Sequence, residues 1–383
     1  MKKKRNAFTL IELLAVIVVL AIIALIATPI VMNTIKKSKK GAAERSAENY
    51  IDAVETAVAT ERLNGNVMED GEYEVTSDGN LCKDKSASCS DENKIKIEMN
   101  GTKPKSGSII IKDNQVDTSS TMIIGDYTVM YNLELGKYEA LKNYINGETV
   151  YFNVTTGEKC TDYTESQSNT GVKSGCMKFY AFNDDGKNTI NLLLDHNTTS
   201  RVYWNSSRVN ESGPSELLTQ LQTDTSSWKG TITPSNYTMD QTGQTSNAKY
   251  TIDYSGYKAR LITAQEIATI TGNTGWDEKN TDSVFYFDTN MRTSSSTCTS
   301  GNTSGCSYGW LYDRITTNCE LYGCLNNADA QQNGFGFWTV SARVGNSITA
   351  WTSDRYGRLS SDYVYFNYYG VRPVIEVLKS QLG

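Results

Sequence analysis

The apolar run over residues 8–32 constrains this chain most strongly, because about 20 apolar residues suffice for a helix to cross a membrane. Residues 2–5 are all basic, and a single carboxylate, Glu12, interrupts the run. An acidic side chain within a membrane helix costs about 2.5–3.5 kcal/mol on insertion scales and is usually functional. An ordinary secretory signal has a shorter apolar core, and a plain membrane anchor gives no reason for Glu12. We therefore predict a membrane helix with a functional acid.

The sequence Ala7-Phe8-Thr9-Leu10-Ile11-Glu12, behind its basic leader, resembles the class III signal of type IV prepilins and pseudopilins. This resemblance covers residues 1–64. It implies that a membrane prepilin peptidase cuts between Ala7 and Phe8, and that the new amino terminus of Phe8 is N-methylated. It also implies that Glu12 pairs with the free amine of a neighbouring subunit during filament assembly. Ala7 stands where the family most often has Gly, so we expect cleavage to be slower.

The first helix is predicted to continue well beyond the membrane, over residues 8–64. Pro29 should kink or loosen it, and residues 64–66 should end it. Spacings of three and four residues place apolar side chains on one stripe: Ala43, Ala47, Tyr50, Ile51, Val54, Ala57 and Val58. A sheet should cover this stripe.

Alternating polar and apolar residues predict short strands at 94–99, 108–112 and 127–133. These strands should form a small antiparallel sheet on the helix. The predicted fold class is therefore α+β: a long amino-terminal helix packed on a small sheet, followed by a larger β-rich domain. The predicted boundaries are 1–7 for the leader, 8–64 for the helix, 65–141 for the pilin-type sheet and 142–383 for the extracellular domain.

The carboxy-terminal region carries a predicted helix with Thr263 as N-cap and Glu266 at the capping-box position. Further strands are predicted at 337–341, 350–352 and 369–375. Together these pieces resemble domains related to formylglycine-generating enzymes, within the C-type-lectin-like fold. The resemblance implies a fold but does not bring the enzymatic activity with it.

The eight cysteines fall into four neighbouring couples, and an even number in an exported chain favours disulfides. Eight cysteines allow 105 pairings, among which we predict that neighbours pair. A four-cysteine zinc site built from the last four is the alternative, although no histidine lies near them and such sites use tighter pairs. The couples are Cys82 and Cys89, Cys160 and Cys176, Cys298 and Cys306, and Cys319 and Cys324.

The only histidine, His196, is expected to be structural, with the side chain of Asp195 on the opposite face of a strand. Four acids form a loose group that offers calcium ligands without the EF-hand spacing, and we expect them to be solvated loop charges. No phosphate loop, dinucleotide fingerprint or zinc-protease motif occurs. We therefore predict no enzymatic activity, catalytic residue, cofactor or metal. The four acids are Asp277, Glu278, Asp282 and Asp288.

The net charge of −6 becomes about −10 without the four basic leader residues, which argues against nucleic-acid binding by the body of the protein. We predict a minor filament subunit, first single-pass in the inner or cytoplasmic membrane and then displayed on the cell surface. Its partners would be the peptidase, other pilin subunits, and a surface glycan or protein. Alternatives are a pseudopilin for DNA uptake or protein secretion, and a membrane-anchored enzyme of the formylglycine-generating type. Candidate sugar-stacking aromatics are Trp310, Trp338, Trp351, Tyr363, Tyr365 and Tyr368.

Overall fold

The computed structural model describes residues 10–65, 68–83, 89, 93–160, 175–288, 298, 305–312, 336–354 and 356–382. The chain divides into two compact units, Met1–Asn143 and Tyr144–Gly383, here called unit 1 and unit 2. Long-helix and antiparallel-sheet content confirm the predicted α+β class.

Unit 1 is organised around helix α1, which spans Leu10–Leu63 and continues through Pro29. Large apolar side chains are exposed on it between Leu13 and Ile35, whereas a single stripe is buried between Ala43 and Val58. Such a stripe is the signature of a helix that packs on one side only. After the helix, Gly65 adopts a φ of 85°, a left-handed conformation that suits glycine at a helix end.

An eight-stranded antiparallel sheet covers the buried stripe, as the sequence predicts. Its order is β3-β2-β1-β4-β6-β7-β8, with β5 paired to β4. The glutamates of α1 also reach this sheet, since Glu44 accepts a hydrogen bond from the Ala140 N–H and Glu55 accepts one from the Val116 N–H, both at 3.3 Å. The strands are β1 Gly71–Val75, β2 Leu81–Cys82, β3 Lys94–Ile95, β4 Ser106–Lys112, β5 Gln115–Val116, β6 Thr121–Ile124, β7 Tyr127–Asn132 and β8 Lys137–Lys142.

The strand predicted at 94–99 is shorter than expected, because only Lys94–Ile95 pair with a neighbour. The Ile97 N–H donates instead to the side-chain oxygen of the buried Asn80, at 3.0 Å. A side-chain amide here replaces the backbone partner that a longer strand would need.

The described part of unit 2 contains two six-stranded sheets and a hairpin. One sheet has the order β10-β9-β11-β12-β22-β16, the other β13-β21-β18-β19-β20-β17, and β14 pairs with β15. Helix α2 spans Ser215–Thr225 and helix α3 spans Ala264–Ile270. The strands are β9 Thr149–Asn153, β10 Glu158–Lys159, β11 Cys176–Phe182, β12 Thr189–Leu194, β13 Thr199–Val202, β14 Tyr237–Asp240, β15 Lys249–Ile252, β16 Arg260–Leu261, β17 Phe285–Tyr286, β18 Gly336–Ala342, β19 Thr349–Asp354, β20 Arg358–Tyr363, β21 Tyr369–Val371 and β22 Pro373–Leu378.

The two six-stranded sheets share one apolar core, to which Phe179, Leu192 and Ile375 contribute from the first sheet and Trp338 and Val340 from the second. Full burial of such side chains stabilises a fold by about 1.5–3 kcal/mol each. The aliphatic and aromatic side chains of this core therefore both stabilise unit 2.

The strand predicted at 369–375 is in fact two strands in different sheets, because Arg372 separates β21 from β22. The Arg372 side chain is 1% exposed, and its guanidinium carbon lies 5.1 Å from the centroid of the Phe337 ring. Its guanidinium donates to the carbonyl oxygens of Leu194, Asp195, Trp310 and Leu311, at 2.6–3.0 Å. Burial lowers the pKa of Arg372 to about 10.

Replacing Arg372 by Met should destabilise unit 2 by at least about 3 kcal/mol, because each buried acceptor left unsatisfied costs about 1–3 kcal/mol. All six tryptophans lie in unit 2, so the urea midpoint of tryptophan fluorescence reports this unit alone. The exposed Arg201→Met change should stay within about 0.5 kcal/mol of the wild type. Equal midpoints for both variants would contradict the structural role of Arg372.

Candidate functional site

Of the residues in the prepilin-like segment, Glu12 lies in the first turns of α1, whereas Ala7 and Phe8 lie outside the described residues. The large side chains that follow Glu12 along the helix are apolar and exposed, from Leu13 to Ile23. In the described part of the chain, no helix is both long and apolar enough for a membrane crossing. The predicted membrane span and the role of Glu12 therefore stay predictions.

Disulfides are present, as predicted, and join neighbouring cysteines. Bonds connect Cys82 to Cys89, Cys160 to Cys176 and Cys298 to Cys306, whereas Cys319 and Cys324 lie outside the described residues. The Cys298–Cys306 bond removes two thiolates from the alternative zinc site. Cysteines held in this way have no thiolate with which to act as nucleophiles.

One group of potential metal ligands occurs among the described residues, and it consists of Asp288, Cys298 and Cys306. Both sulfurs of this group belong to a disulfide. The two Asp288 oxygens accept hydrogen bonds from the backbone N–H groups of Ser307 and Tyr308, at 2.8 and 3.2 Å. The group is therefore a loop clamp with little capacity left for a cation.

The expectation that the four acids are solvated is wrong for Glu278 and Asp288, which are 6% and 8% exposed. Glu278 accepts hydrogen bonds from Ser341 Oγ at 2.6 Å and from Tyr237 Oη at 3.0 Å. The Gln265 N–H at the start of α3 donates to the same carboxylate at 3.2 Å. Burial raises the pKa of Glu278, although these hydrogen bonds lower it in part. Glu278 thus ties α3 to β18 and is unavailable to a ligand.

The arrangement predicted for His196 is also wrong, because β12 ends at Leu194 and the alternation of side chains ends with it. His196 Nδ1 lies 3.7 Å from Asp195 Oδ2. Asp195 Oδ1 accepts from Tyr180 Oη at 2.6 Å and lies 3.9 Å from Lys178 Nζ. Burial works to raise the pKa of Asp195, but His196, Tyr180 and Lys178 lower it on balance.

Neither ring nitrogen of His196 has a hydrogen-bond partner within the part of the chain that the structure describes. The side chains of His196 and Asp195 are at most 1% exposed. A substrate would have to displace the core to reach them. The burial therefore favours a structural role for this pair over a catalytic one.

The six candidate aromatics separate into core and surface residues. Trp338 and Trp351 are fully buried, and Trp310 packs against Tyr180 with a centroid distance of 5.5 Å. In contrast, Tyr363 and Tyr368 are 38% and 41% exposed. Tyr363 and Tyr368 are thus the members of this set that a ligand reaches most easily, whereas Trp310 and Tyr365 are half-buried.

Four neighbouring rings form a continuous surface, here called the aromatic ladder: Tyr363, Tyr365, Phe366 and Tyr368. Tyr363 and Tyr365 are stacked at 5.4 Å with an interplanar angle of 25°. Phe366 contacts all three tyrosines edge-on or tilted, at 5.1–5.2 Å. Phe366 is not among the six candidate aromatics, although the density of aromatic residues over 363–369 is a usable indication of it.

The ladder is held in place by the buried residue between its first two rings. The Val364 N–H donates to the Ile348 carbonyl, and the Val364 carbonyl accepts from the N–H groups of Trp204 and Asn205. The Arg208 guanidinium lies 5.1 Å from the Tyr365 ring centroid, a cation–π contact. These contacts hold the backbone at Val364 and the ring of Tyr365 in place.

The comparisons with known proteins agree with the amino-terminal assignment. A family model described as the prokaryotic N-terminal methylation motif matches residues 2–28. No curated protein and no solved structure matches the chain. The chain is therefore type IV pilin-like or pseudopilin-like at its amino terminus, and the resemblance of unit 2 to formylglycine-generating-enzyme domains stays a prediction.

Replacing Glu278 by Gln should remove a pH-dependent loss of stability. A carboxyl whose pKa is higher in the folded state stabilises that state below its unfolded pKa, and this contribution is lost as pH rises through the folded pKa. The wild type should therefore lose stability relative to Glu278→Gln as pH rises above about 4.3, the unfolded value. Urea midpoints from tryptophan fluorescence at several pH values measure the difference.

The exposed Glu211→Gln change is the matched control and should follow the wild type at every pH. A constant difference between the wild type and Glu278→Gln across this range would show that burial does not raise the pKa of Glu278.

Proposed function

We propose that the chain is a minor filament subunit that displays unit 2 as a carbohydrate-binding, adhesive domain. The methylation motif at residues 2–28 is the observation that carries the filament role. In this proposal a prepilin peptidase cuts between Ala7 and Phe8, and the amino group of Phe8 is methylated. The subunit then leaves the cytoplasmic membrane and becomes part of a filament at the cell surface.

Assembly would depend on the charge of Glu12. A carboxylate in an apolar environment is costly unless a positive group pairs with it. Cleavage before Phe8 produces such a group, an ammonium at the new amino terminus of each subunit. A subunit entering the filament would place Glu12 against the amino terminus of a neighbour, and the exposed apolar side chains from Leu13 onward would pack against the neighbouring helices.

The size of unit 2 supports a minor position. Unit 2 covers residues 144–383, and it follows a unit that already contains a helix and a complete sheet. Repeating so large a domain at every position of a tight helical bundle is sterically difficult. A subunit at the tip or at sparse positions avoids this crowding.

The aromatic ladder supports binding to carbohydrate. Sugar rings present apolar C–H faces that stack on aromatic rings, and a tyrosine also carries a hydroxyl with which a sugar hydroxyl can form a hydrogen bond. Asn367, which is exposed between Phe366 and Tyr368 in sequence, offers a further polar group. A binding role is also favoured over catalysis because the described cysteines are in disulfides and His196 is buried.

Replacing Glu12 by Ala should leave cleavage intact and reduce filament incorporation by more than about tenfold, a free-energy change of about 1.4 kcal/mol or more. Immunoblots of sheared filaments against the membrane fraction measure incorporation, and mass spectrometry of the mature amino terminus measures cleavage and methylation. Glu48→Ala, on the exposed surface of the same helix, is the matched control. Normal incorporation of Glu12→Ala would refute the assembly role.

Replacing both Tyr363 and Tyr365 by Ala should weaken binding to the glycans that the wild type selects on an array. Each ring contributes about 0.5–1.5 kcal/mol beyond its buried area, so the expected loss is several-fold to roughly a hundredfold. The control is Tyr356→Ala, an exposed tyrosine near the opposite end of β20. Undiminished glycan binding by the double variant would exclude the ladder as the contact surface. If the wild type binds no glycan on the array but binds DNA or a secreted protein in a separate assay, the pseudopilin alternative would be favoured.

A further inference from the structure

A pocket of about 290 Å³ opens on unit 2 beside the edge strand β16. Strands β12, β22 and β16 are neighbours in one sheet and supply three of its polar side chains, Asn191, Glu376 and Arg260. Ser235 and Tyr254 line it from the segments around the β14–β15 hairpin. The pocket is distinct from the aromatic ladder, which begins at the last residue of β20 in the other sheet.

The Arg260 guanidinium is already satisfied within the pocket wall. Its two terminal nitrogens lie 2.8 and 2.6 Å from the two oxygens of Glu266, and one of them also donates to Asn191 Oδ1 at 2.9 Å. Glu266 in turn accepts the Thr263 N–H in the capping box of α3. This bidentate pair is a fixed structural element with its charges balanced.

Glu376 is the second carboxylate of the pocket, and Arg260 does not pair with it. It is directly opposite Asn191 in the β12–β22 ladder, and Arg260 is paired with Val374, two residues earlier on the same face. No described side chain hydrogen-bonds or ion-pairs with the half-buried Glu376 carboxylate. Burial works to lower the pKa of Arg260, but the carboxylate of Glu266 outweighs this effect, so that the pKa is raised on balance. The Glu376 carboxylate contributes weakly in the same direction, so its charge acts on Arg260 without direct contact.

The charges and shape of the pocket define the chemistry of a ligand. The guanidinium of Arg260 and the carboxylates of Glu266 and Glu376 give the pocket a net charge of about −1. This charge repels anions and attracts one positive charge. A divalent metal fits poorly because Glu266 is occupied by the guanidinium. A primary ammonium has three donors, and the Glu376 carboxylate and Ser235 Oγ line the pocket as acceptors, together with the half-buried ring of Tyr237.

We propose that this pocket is a binding site for the primary ammonium group of a small molecule, with Glu376 as its counter-ion. The site does not depend on the proposed carbohydrate contact, because it uses other residues on the other sheet. It also does not depend on filament assembly, because all of its residues lie in unit 2.

The test uses the full-length protein in detergent micelles and n-butylammonium as the probe, with n-butanol and butyrate as probes of the same length. Saturation-transfer-difference NMR should show saturable binding of n-butylammonium, and much weaker binding of the two others. Glu376→Gln should weaken the ammonium affinity by at least about tenfold, since it removes a charge-assisted hydrogen bond. Raising NaCl from about 0.15 to 1 M, which shortens the Debye length from about 8 to 3 Å, should also weaken it.

Glu158→Gln is the matched control, because Glu158 is exposed on β10 at the opposite edge of the same sheet. Its affinity should equal that of the wild type. Ser235→Trp, which fills the mouth of the pocket from an exposed position, should abolish binding and keeps the test decisive if Glu376→Gln fails to fold. Equal binding of n-butanol, or unchanged binding by Glu376→Gln or Ser235→Trp, would overturn the proposal, whatever the glycan and filament assays show.

Discussion

The change in character along helix α1 is the constraint on which unit 1 depends. Between Leu13 and Ile35 the helix exposes large apolar side chains, whereas between Ala43 and Val58 only one stripe is apolar and it is buried. A helix that is apolar on all sides needs apolar surroundings on all sides, whereas an amphipathic helix needs a neighbouring element only over its apolar stripe. The sheet of unit 1 supplies the cover for the second part. The first part has no equivalent in the described residues, and membrane insertion followed by filament packing would supply it.

Unit 2 meets a different constraint, because the chain passes from one of its large sheets to the other at a single residue. Arg372 lies between β21 and β22 and satisfies four carbonyl oxygens from two other segments. A buried guanidinium is expensive unless its donors are used, and here hydrogen bonds to neutral carbonyls replace a carboxylate. The same position that interrupts the strand therefore fixes the segment 309–312 against the sheet.

Features set by neighbours in sequence were predictable, and those set by topology were not. The capping box of Thr263 and Glu266 follows from a spacing of three residues, and both of its hydrogen bonds form, at 2.9 Å. The buried stripe of α1 follows from helical periodicity in the same way. Glu278, in contrast, is buried against Ser341, which lies 63 residues away in sequence. No local pattern distinguishes such a carboxylate from a solvated one.

The aromatic ladder illustrates a second limit of sequence reasoning. Aromatic residues in a strand-like pattern are typical of a core, and Trp338 and Trp351 follow that rule. At the end of β20 the buried Val364 anchors the backbone through its hydrogen bonds, while the exposed Tyr363 and the half-buried Tyr365 on either side of it stack on each other. Whether an aromatic residue packs inward or outward depends on where the strand ends, and strand ends are the least predictable feature of a sheet.

The net charge limits how unit 2 can make contact with anything. The body of the chain carries an excess of acidic groups, and at physiological salt their repulsion of an anionic surface is screened beyond about 8 Å. Recognition must then rest on interactions that act at contact distance. The ladder offers uncharged stacking with one cation, Arg208, beside it, and the pocket offers one concentrated negative charge at Glu376. Stacking should depend little on salt and ammonium binding should depend on it strongly, so the two surfaces differ in the physics by which each selects a ligand.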